Sequence, residues 1–145
     1  MAKVLYTAEA TVTGGRAEGH GRTSDGALEV DLRLPEAMGG QGGGTNPEQL
    51  FAVGYASCFE SALQVVARRA KADGDGISVD SKVELSPNAE GGFDLGVALD
   101  VTLPGVGDQA AAVELVGKAH AVCPYSNATR GNIEVRLTAN GAAVA

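Results

Sequence analysis

The chain of 145 residues carries two cysteines, Cys58 and Cys123, and two histidines, His20 and His120. A thiolate is a strong nucleophile, and two thiols that meet can shuttle between dithiol and disulfide. Four kinds of chemistry are therefore open to the pair: none at all, zinc binding, hydrolysis with a histidine base, or reduction of a peroxide. The inert reading is the simplest, because buried free cysteines are common core residues. The zinc reading rests on an H-x-x-C spacing, His120 to Cys123, with Cys58 as a third ligand, but no CxxC pair accompanies it. A Cys–His hydrolase would need His120 beside Cys58 and an oxyanion hole, for which the sequence offers no signal.

Peroxide reduction sets a condition of its own. A thiol attacks peroxide as the thiolate, and an ordinary cysteine is mostly protonated at neutral pH. Cys58 lies within the apolar run LFAVGYASCFESAL, where burial raises the pKa further. A reactive Cys58 therefore needs a cation close by. Arginine suits best, because it stays charged and its planar fork can hold a second anion. Arg16, Arg22 and Arg130 are the candidates, and Arg16 follows Gly14-Gly15, where a loop can fold inward. Disulfide formation between the cysteines requires Cα atoms within about 7 Å, which spacing alone does not decide.

The elements that must position these residues are legible in outline. Residues 4–12 read as a strand, residues 19–23 as a second, and Ser24-Asp25-Gly26 as a hairpin turn leading to a third, Leu28–Leu34, which alternates in polarity. Residues 35–44 are a glycine-rich loop. Thr45-Asn46-Pro47-Glu48 marks a helix start, with Thr or Asn as cap, Pro in the first turn and Glu48 completing a capping box with Thr45. This helix is expected to reach about Ala72, before Asp73-Gly74. It is apolar almost all round over its first turns, so it is expected to be covered on more than one side, in part by a second subunit. Residues 77–85 and 93–103 read as a hairpin, Asp108 caps a helix over 109–122, and 133–137 is a last strand. The order β-β-β-α-β-β-α-β defines an α+β fold on a single domain, residues 1–145, with two central helices and antiparallel sheets.

Bulk properties narrow the context. The formal charge of −7, from 18 acids against 11 bases, argues against nucleic acid or an anionic membrane as partner. Hydrophobic residues are 44% of the chain and aromatics 4%, so Val, Leu and Ala must build the core. The N-terminal residues lack the apolar run of a signal peptide, and no stretch comes near the length of apolar residues that spans a bilayer. A cytoplasmic location is the expectation, and there two cysteines do not serve as a permanent staple.

Two long motifs surround the cysteines. TNPEQLFAVGYASCF (residues 45–59) resembles the first signature of the OsmC/Ohr superfamily, and VCPYSNATRGNI (residues 122–133) resembles the second. TVTGGR (11–16) and SDG (24–26) match its N-terminal part, so the similarity spans essentially the whole chain and favours the Ohr, or organic hydroperoxide resistance, branch. The resemblance implies an intertwined homodimer of OsmC-like fold and a thiol peroxidase acting in oxidative stress defence on alkyl and fatty-acid hydroperoxides. It implies no bound cofactor or metal, and an external reductant carrying a dihydrolipoyl group on a lipoylated protein. Carried over, Cys58 is the attacking thiol, Cys123 the resolving thiol, Arg16 the activator of the thiolate, and Glu48 the residue that holds Arg16. Phe51, Tyr55, Phe59 and Tyr125 are expected to wall an apolar substrate pocket. Glu48 and Cys58 stand about 15 Å apart along one helix, so Arg16 either spans most of that gap or serves the Cys58 of a second subunit. The alternatives that stay open are a non-enzymatic dimeric small-ligand-binding protein and a Cys/His metal-binding protein.

Overall fold

The computed structural model describes residues 2–145 and divides into two compact units, the first ending at Leu50 and the second running Phe51–Ala145. The first unit is an antiparallel sheet in the order β1-β2-β3, from β1 (Ala10–Thr13), β2 (Glu18–Thr23) and β3 (Glu29–Arg33). Thr23, Asp25 and Leu28 close the second hairpin as read from sequence: the Thr23 hydroxyl donates to Asp25 Oδ1 at 2.8 Å and accepts from the Leu28 N–H at 3.0 Å. The β1–β2 turn depends on glycine. Gly14 has φ +77°, and a Cβ there would fall 2.2 Å from the Glu18 carbonyl oxygen. No other residue fits that turn, which is the one that presents Arg16.

The strand expected over residues 4–12 is shorter than its pattern. Only Ala10–Thr13 pairs with β2, and Val4, Leu5 and Tyr6 lie exposed at 73%, 95% and 79%. Alternation is a statement about a face to be covered, and among the described residues nothing covers this one. Helix α1 (Pro47–Arg69) starts in the last residues of the first unit and continues through the second. Its start corrects the expected capping box. Asn46 is the cap, accepting the Gln49 N–H at 2.9 Å, because Pro47 takes the first helical position. Glu48 is thereby free of the cap. The helix also ends earlier than expected. The Ala72 N–H bonds the Ala67 carbonyl and the Lys71 N–H the Arg68 carbonyl, with Lys71 in the left-handed region at φ 56°. That is a Schellman closure with lysine at the position where glycine is usual.

The second unit is a four-stranded sheet in the order β4-β5-β6-β7, made of β4 (Ser78–Pro87), β5 (Phe93–Thr102), β6 (Glu134–Ala139) and β7 (Ala142–Val144). The β4–β5 hairpin is antiparallel as expected. The β5–β6 pair is parallel, which corrects the expectation of antiparallel sheets throughout. The reason is the connection: α2 (Gln109–Val122) and α3 (Pro124–Thr129) carry the chain back to the starting end of the sheet, as a parallel pair requires. Asp108 caps α2 by accepting the Ala110 and Ala111 N–H groups. Strand β7 was not expected; Asn140 and Gly141, both at positive φ, form the two-residue turn that creates it. Asn140 also braces its surroundings, accepting from the Leu103 N–H at 2.8 Å and donating to the Leu103 and Val106 carbonyls.

One core fills this unit. Tyr55, Phe59, Leu63 and Val66 of α1 meet Val97, Leu99 and Val101 of β5, Leu137 and Ala139 of β6, and Ala112, Leu115, Val116 and Ala119 of α2. By length and composition alone α1 could cross a membrane, contrary to the expectation that no segment comes near, and in this fold its apolar residues supply the core.

Candidate functional site

The thiols face each other inside the second unit. Cys58 sits mid-way along α1, and Cys123 sits at the corner where α2 ends and α3 begins. Their sulfurs are 3.6 Å apart, both reduced. Cys123 is fully buried and Cys58 only partly so. The corner is sharply defined: the Cys123 N–H closes α2 on the Ala119 carbonyl, its own carbonyl accepts the Asn127 N–H, and Pro124 opens α3. Pro124 follows the expected end of the second helix, and its fixed φ equally starts the next one.

Burial is the main influence on Cys58 and pushes its thiol above the ordinary value of 9.0; the Tyr125 backbone N–H pulls the other way, and the Cys123 thiol adds to the rise. Within its unit, these influences favour the neutral thiol of Cys58. The three candidate cations differ. Arg16 makes a bidentate pair with Glu48, Nη2 to Oε1 at 2.8 Å and Nη1 to Oε2 at 3.2 Å. This pair lies wholly in the first unit. Arg16 holds the Glu48 carboxyl below its usual value, and the hydrogen bond to Glu48 raises Arg16 in turn. Arg22 stands 3.9 Å from Glu29 on exposed β2. Arg130 is occupied by the His120 carbonyl at 2.5 Å and Asn127 Oδ1 at 2.8 Å, where it closes the end of α2. Arg16 alone has its guanidinium held by a carboxylate in a planar fork.

The expected pocket residues separate into two groups. Phe51 and Tyr125 are stacked at 6.0 Å between ring centroids, and Tyr125 retains 38% exposure. Gly54 allows this approach: a Cβ there would sit 3.1 Å from the Tyr125 hydroxyl. On the helical repeat Phe51, Gly54 and Cys58 share a face of α1, so the stacked aromatics adjoin the Cys58 sulfur. Tyr55 and Phe59 have no exposed surface at all and pack in the core. They build the floor of the site rather than a wall that a ligand meets. The role of Gly54 was not anticipated, although a glycine four residues before a cysteine in an apolar helix is a visible signal of close approach.

A buried polar chain lies beside the thiols and was also unanticipated. The Ser126 hydroxyl is 2.8 Å from His120 Nδ1 and 2.8 Å from the Tyr55 hydroxyl, which is 3.2 Å from Thr129 Oγ1. Thr129 in turn donates to the Ser126 carbonyl at 3.3 Å. Burial, and then the charge of Arg130, lower the His120 pKa, so the ring is neutral near pH 7. His20 is remote from this chemistry on exposed β2, between Asp31 and Glu29, each at 2.8 Å. Among the described residues no three His, Cys, Asp or Glu side chains gather as a metal site.

Comparison with known proteins gives the family and supports the fold. Residues 40–138 match the family model of OsmC-like proteins. An organic hydroperoxide resistance protein of Xanthomonas axonopodis pv. citri is 55% identical over 94% of this chain and 95% of its own. The organic hydroperoxide resistance protein OhrB of Bacillus subtilis is 46% identical over 92% of this chain and 96% of its own. Among solved structures, an organic hydroperoxide resistance protein from Legionella pneumophila superposes with TM-score 0.89 at 53% identity, covering 94% of this chain and 98% of that one. A counterpart from Vibrio cholerae, with captopril bound in one of its active sites, superposes with TM-score 0.92 at 48% identity, covering 97% and 96%. The chain belongs to the OsmC family, in its branch of organic hydroperoxide resistance proteins.

Proposed function

We propose that this protein is a cysteine peroxidase that reduces organic hydroperoxides to alcohols in oxidative stress defence. The observation that carries the reading is the asymmetric thiol pair: a partly exposed Cys58 with a fully buried Cys123 3.6 Å behind it. Cys58 thiolate attacks the distal peroxide oxygen, the O–O bond breaks, and the alkoxide leaves as the alcohol after taking a proton. Cys58 is then a sulfenic acid, and attack by the Cys123 thiol releases water and forms the disulfide. An external dithiol, of which a dihydrolipoyl group on a carrier protein is the proposed case, reopens it and becomes a cyclic disulfide. Arg16, held by Glu48, stabilises the thiolate and the charge growing on the departing oxygen. The Phe51–Tyr125 stack beside Cys58 favours an alkyl chain over hydrogen peroxide, at about 0.8 kcal/mol per CH₂ buried.

The working form is a homodimer in a reducing, cytoplasmic setting. Its support is the apolar surface left uncovered at Val4, Leu5, Tyr6 and Val12 of the first unit and, separately, at Val53 of α1. In the test, reduced protein is mixed with cumene hydroperoxide and free thiols are counted. Loss of peroxide with loss of both thiols per chain is expected, and turnover is expected with dihydrolipoamide but not with a monothiol. If both thiols survive contact with the hydroperoxide, the peroxidase reading is wrong.

A further inference from the structure

The buried polar chain around Ser126 joins the elements that carry the two cysteines. Tyr55 stands one turn before Cys58 on α1, His120 one turn before Cys123 on α2, and Ser126 one turn after Cys123 on α3. The single Ser126 hydroxyl, wholly buried, therefore touches one residue from each helix that bears or borders a reactive sulfur. Neutral hydrophobic packing would hold these helices together without any polar atom. Placing a tyrosine hydroxyl, a serine and a threonine there instead costs desolvation unless every group is satisfied.

They are satisfied as a unit. Each hydroxyl has one proton to give. Either Nδ1–H of His120 donates to Ser126, Ser126 to Tyr55 and Tyr55 to Thr129, or Thr129 donates to Tyr55, Tyr55 to Ser126 and Ser126 to a bare Nδ1. The first arrangement also leaves the Thr129 proton for the Ser126 carbonyl and so fills every contact, and removal of one member breaks the chain for the rest. The consequence for the thiols is geometric. A disulfide is about 2.05 Å long, so the sulfurs must close by about 1.5 Å from their 3.6 Å separation. Loosening of the Cys123 corner on that scale lengthens the path by as much again.

We propose that Ser126, Tyr55 and His120 are positioning residues that clamp the Cys123 corner against α1 and so set the rate of disulfide formation, without taking part in peroxide attack. This rests on the peroxidase reading for its meaning but not for its test. In single-turnover mixing with cumene hydroperoxide, quenched with dimedone or an alkylating agent, mass spectrometry separates attack (a sulfenic acid on Cys58) from resolution (the disulfide). Ser126→Ala and His120→Leu are expected to slow resolution at least tenfold while attack stays within twofold. His120→Asn, which keeps an acceptor or donor at the Nδ1 position, is expected to restore resolution, and the Ser126→Ala/His120→Leu double variant to be no slower than either single one. A second measurement needs no peroxide: equilibration with dithiothreitol is expected to shift toward the dithiol by about tenfold in Ser126→Ala. Wild-type resolution and an unshifted equilibrium in Ser126→Ala would overturn the clamp, as would an equal fall of attack and resolution. Failure of the wild-type protein to consume hydroperoxide, with the equilibrium shift intact, would remove the peroxidase reading and leave the clamp standing.

Discussion

Replacing Glu48 by glutamine tests how far activity depends on holding Arg16 in place. The side chain keeps its shape and loses its charge. In the wild-type chain two charge-assisted bonds, at 2.8 and 3.2 Å, fix the guanidinium, with side-chain exposures of 38% for Arg16 and 16% for Glu48. Charge-assisted bonds contribute about 1.5–3 kcal/mol when buried and ion pairs at full exposure about 0–1. Intermediate exposure places this pair at about 1–1.5 kcal/mol, equivalent to roughly a tenfold change in the equilibrium between held and free Arg16. Turnover of cumene hydroperoxide with dihydrolipoamide should fall by up to that factor, and Arg16→Gln should fall further. Stability separates the two variants. Glu48 also sits in the first turn of α1, where an acid favours the helix dipole by about 0.3–1 kcal/mol. Glu48→Gln should therefore melt lower than Arg16→Gln, which keeps that acid. If Glu48→Gln turns over as fast as wild type while Arg16→Gln is crippled, the tether does nothing and the reasoning from the pair is refuted.

The remaining predictions concern other parts of the molecule. Cys123→Ser should consume one equivalent of hydroperoxide and stop as a Cys58 sulfenic acid that dimedone traps; sustained turnover with dihydrolipoamide would take the resolving role from Cys123. Gly54→Ala places a Cβ 3.1 Å from the Tyr125 hydroxyl and should displace that ring. The expected readout is a raised KM for long-chain hydroperoxides and a smaller change for hydrogen peroxide. Lys71→Gly should relieve the left-handed lysine that closes α1, where φ is 56°, and raise stability by about 0.5–1 kcal/mol in urea unfolding. Two titrations should oppose each other. Glu48 is held low by Arg16, so its contribution is present above 4.5 and lost as pH falls below it; His20 is raised by Asp31 and then Glu29, so its contribution is present below 6.5 and lost as pH rises past its folded value. Glu48→Gln should flatten the acid side of a stability profile and His20→Gln the alkaline side.

Local patterns found what local chemistry decides. The alternation over residues 28–34, the Asp108 cap and the β4–β5 hairpin are each specified by neighbours in sequence, and each is in the structure. Strand β7 was just as visible, since Asn-Gly is a strong hairpin signal, but three residues are too few to show a period. Helix α3 was hidden because a proline that ends one helix also begins another. The segment 4–9 alternates like a strand, but alternation marks only a face to be covered, and Val4, Leu5 and Tyr6 stay exposed. At the site, the motifs identified the cysteines, and only the fold could bring sulfurs so far apart in sequence to 3.6 Å. The Tyr55–Ser126–His120 chain was out of reach for a related reason. A tyrosine in an apolar helix reads as core until the position of its hydroxyl is known, and the serine beside it shows no period.

In the proposed peroxidase cycle, the unequal exposure of the two sulfurs also bears on how the disulfide is reopened. An incoming thiolate can reach only the Cys58 sulfur, because Cys123 has no exposed surface. In that cycle the mixed disulfide with the reductant forms on Cys58, and Cys123 is the leaving group, released into a buried corner with no exposed surface. A leaving thiol so placed departs slowly unless it is protonated as it goes. The proposed cycle therefore calls for a reductant whose second thiol is already attached and whose chain is slim and apolar enough to lie along Phe51 and Tyr125, so that release of the mixed disulfide follows its formation without a second encounter.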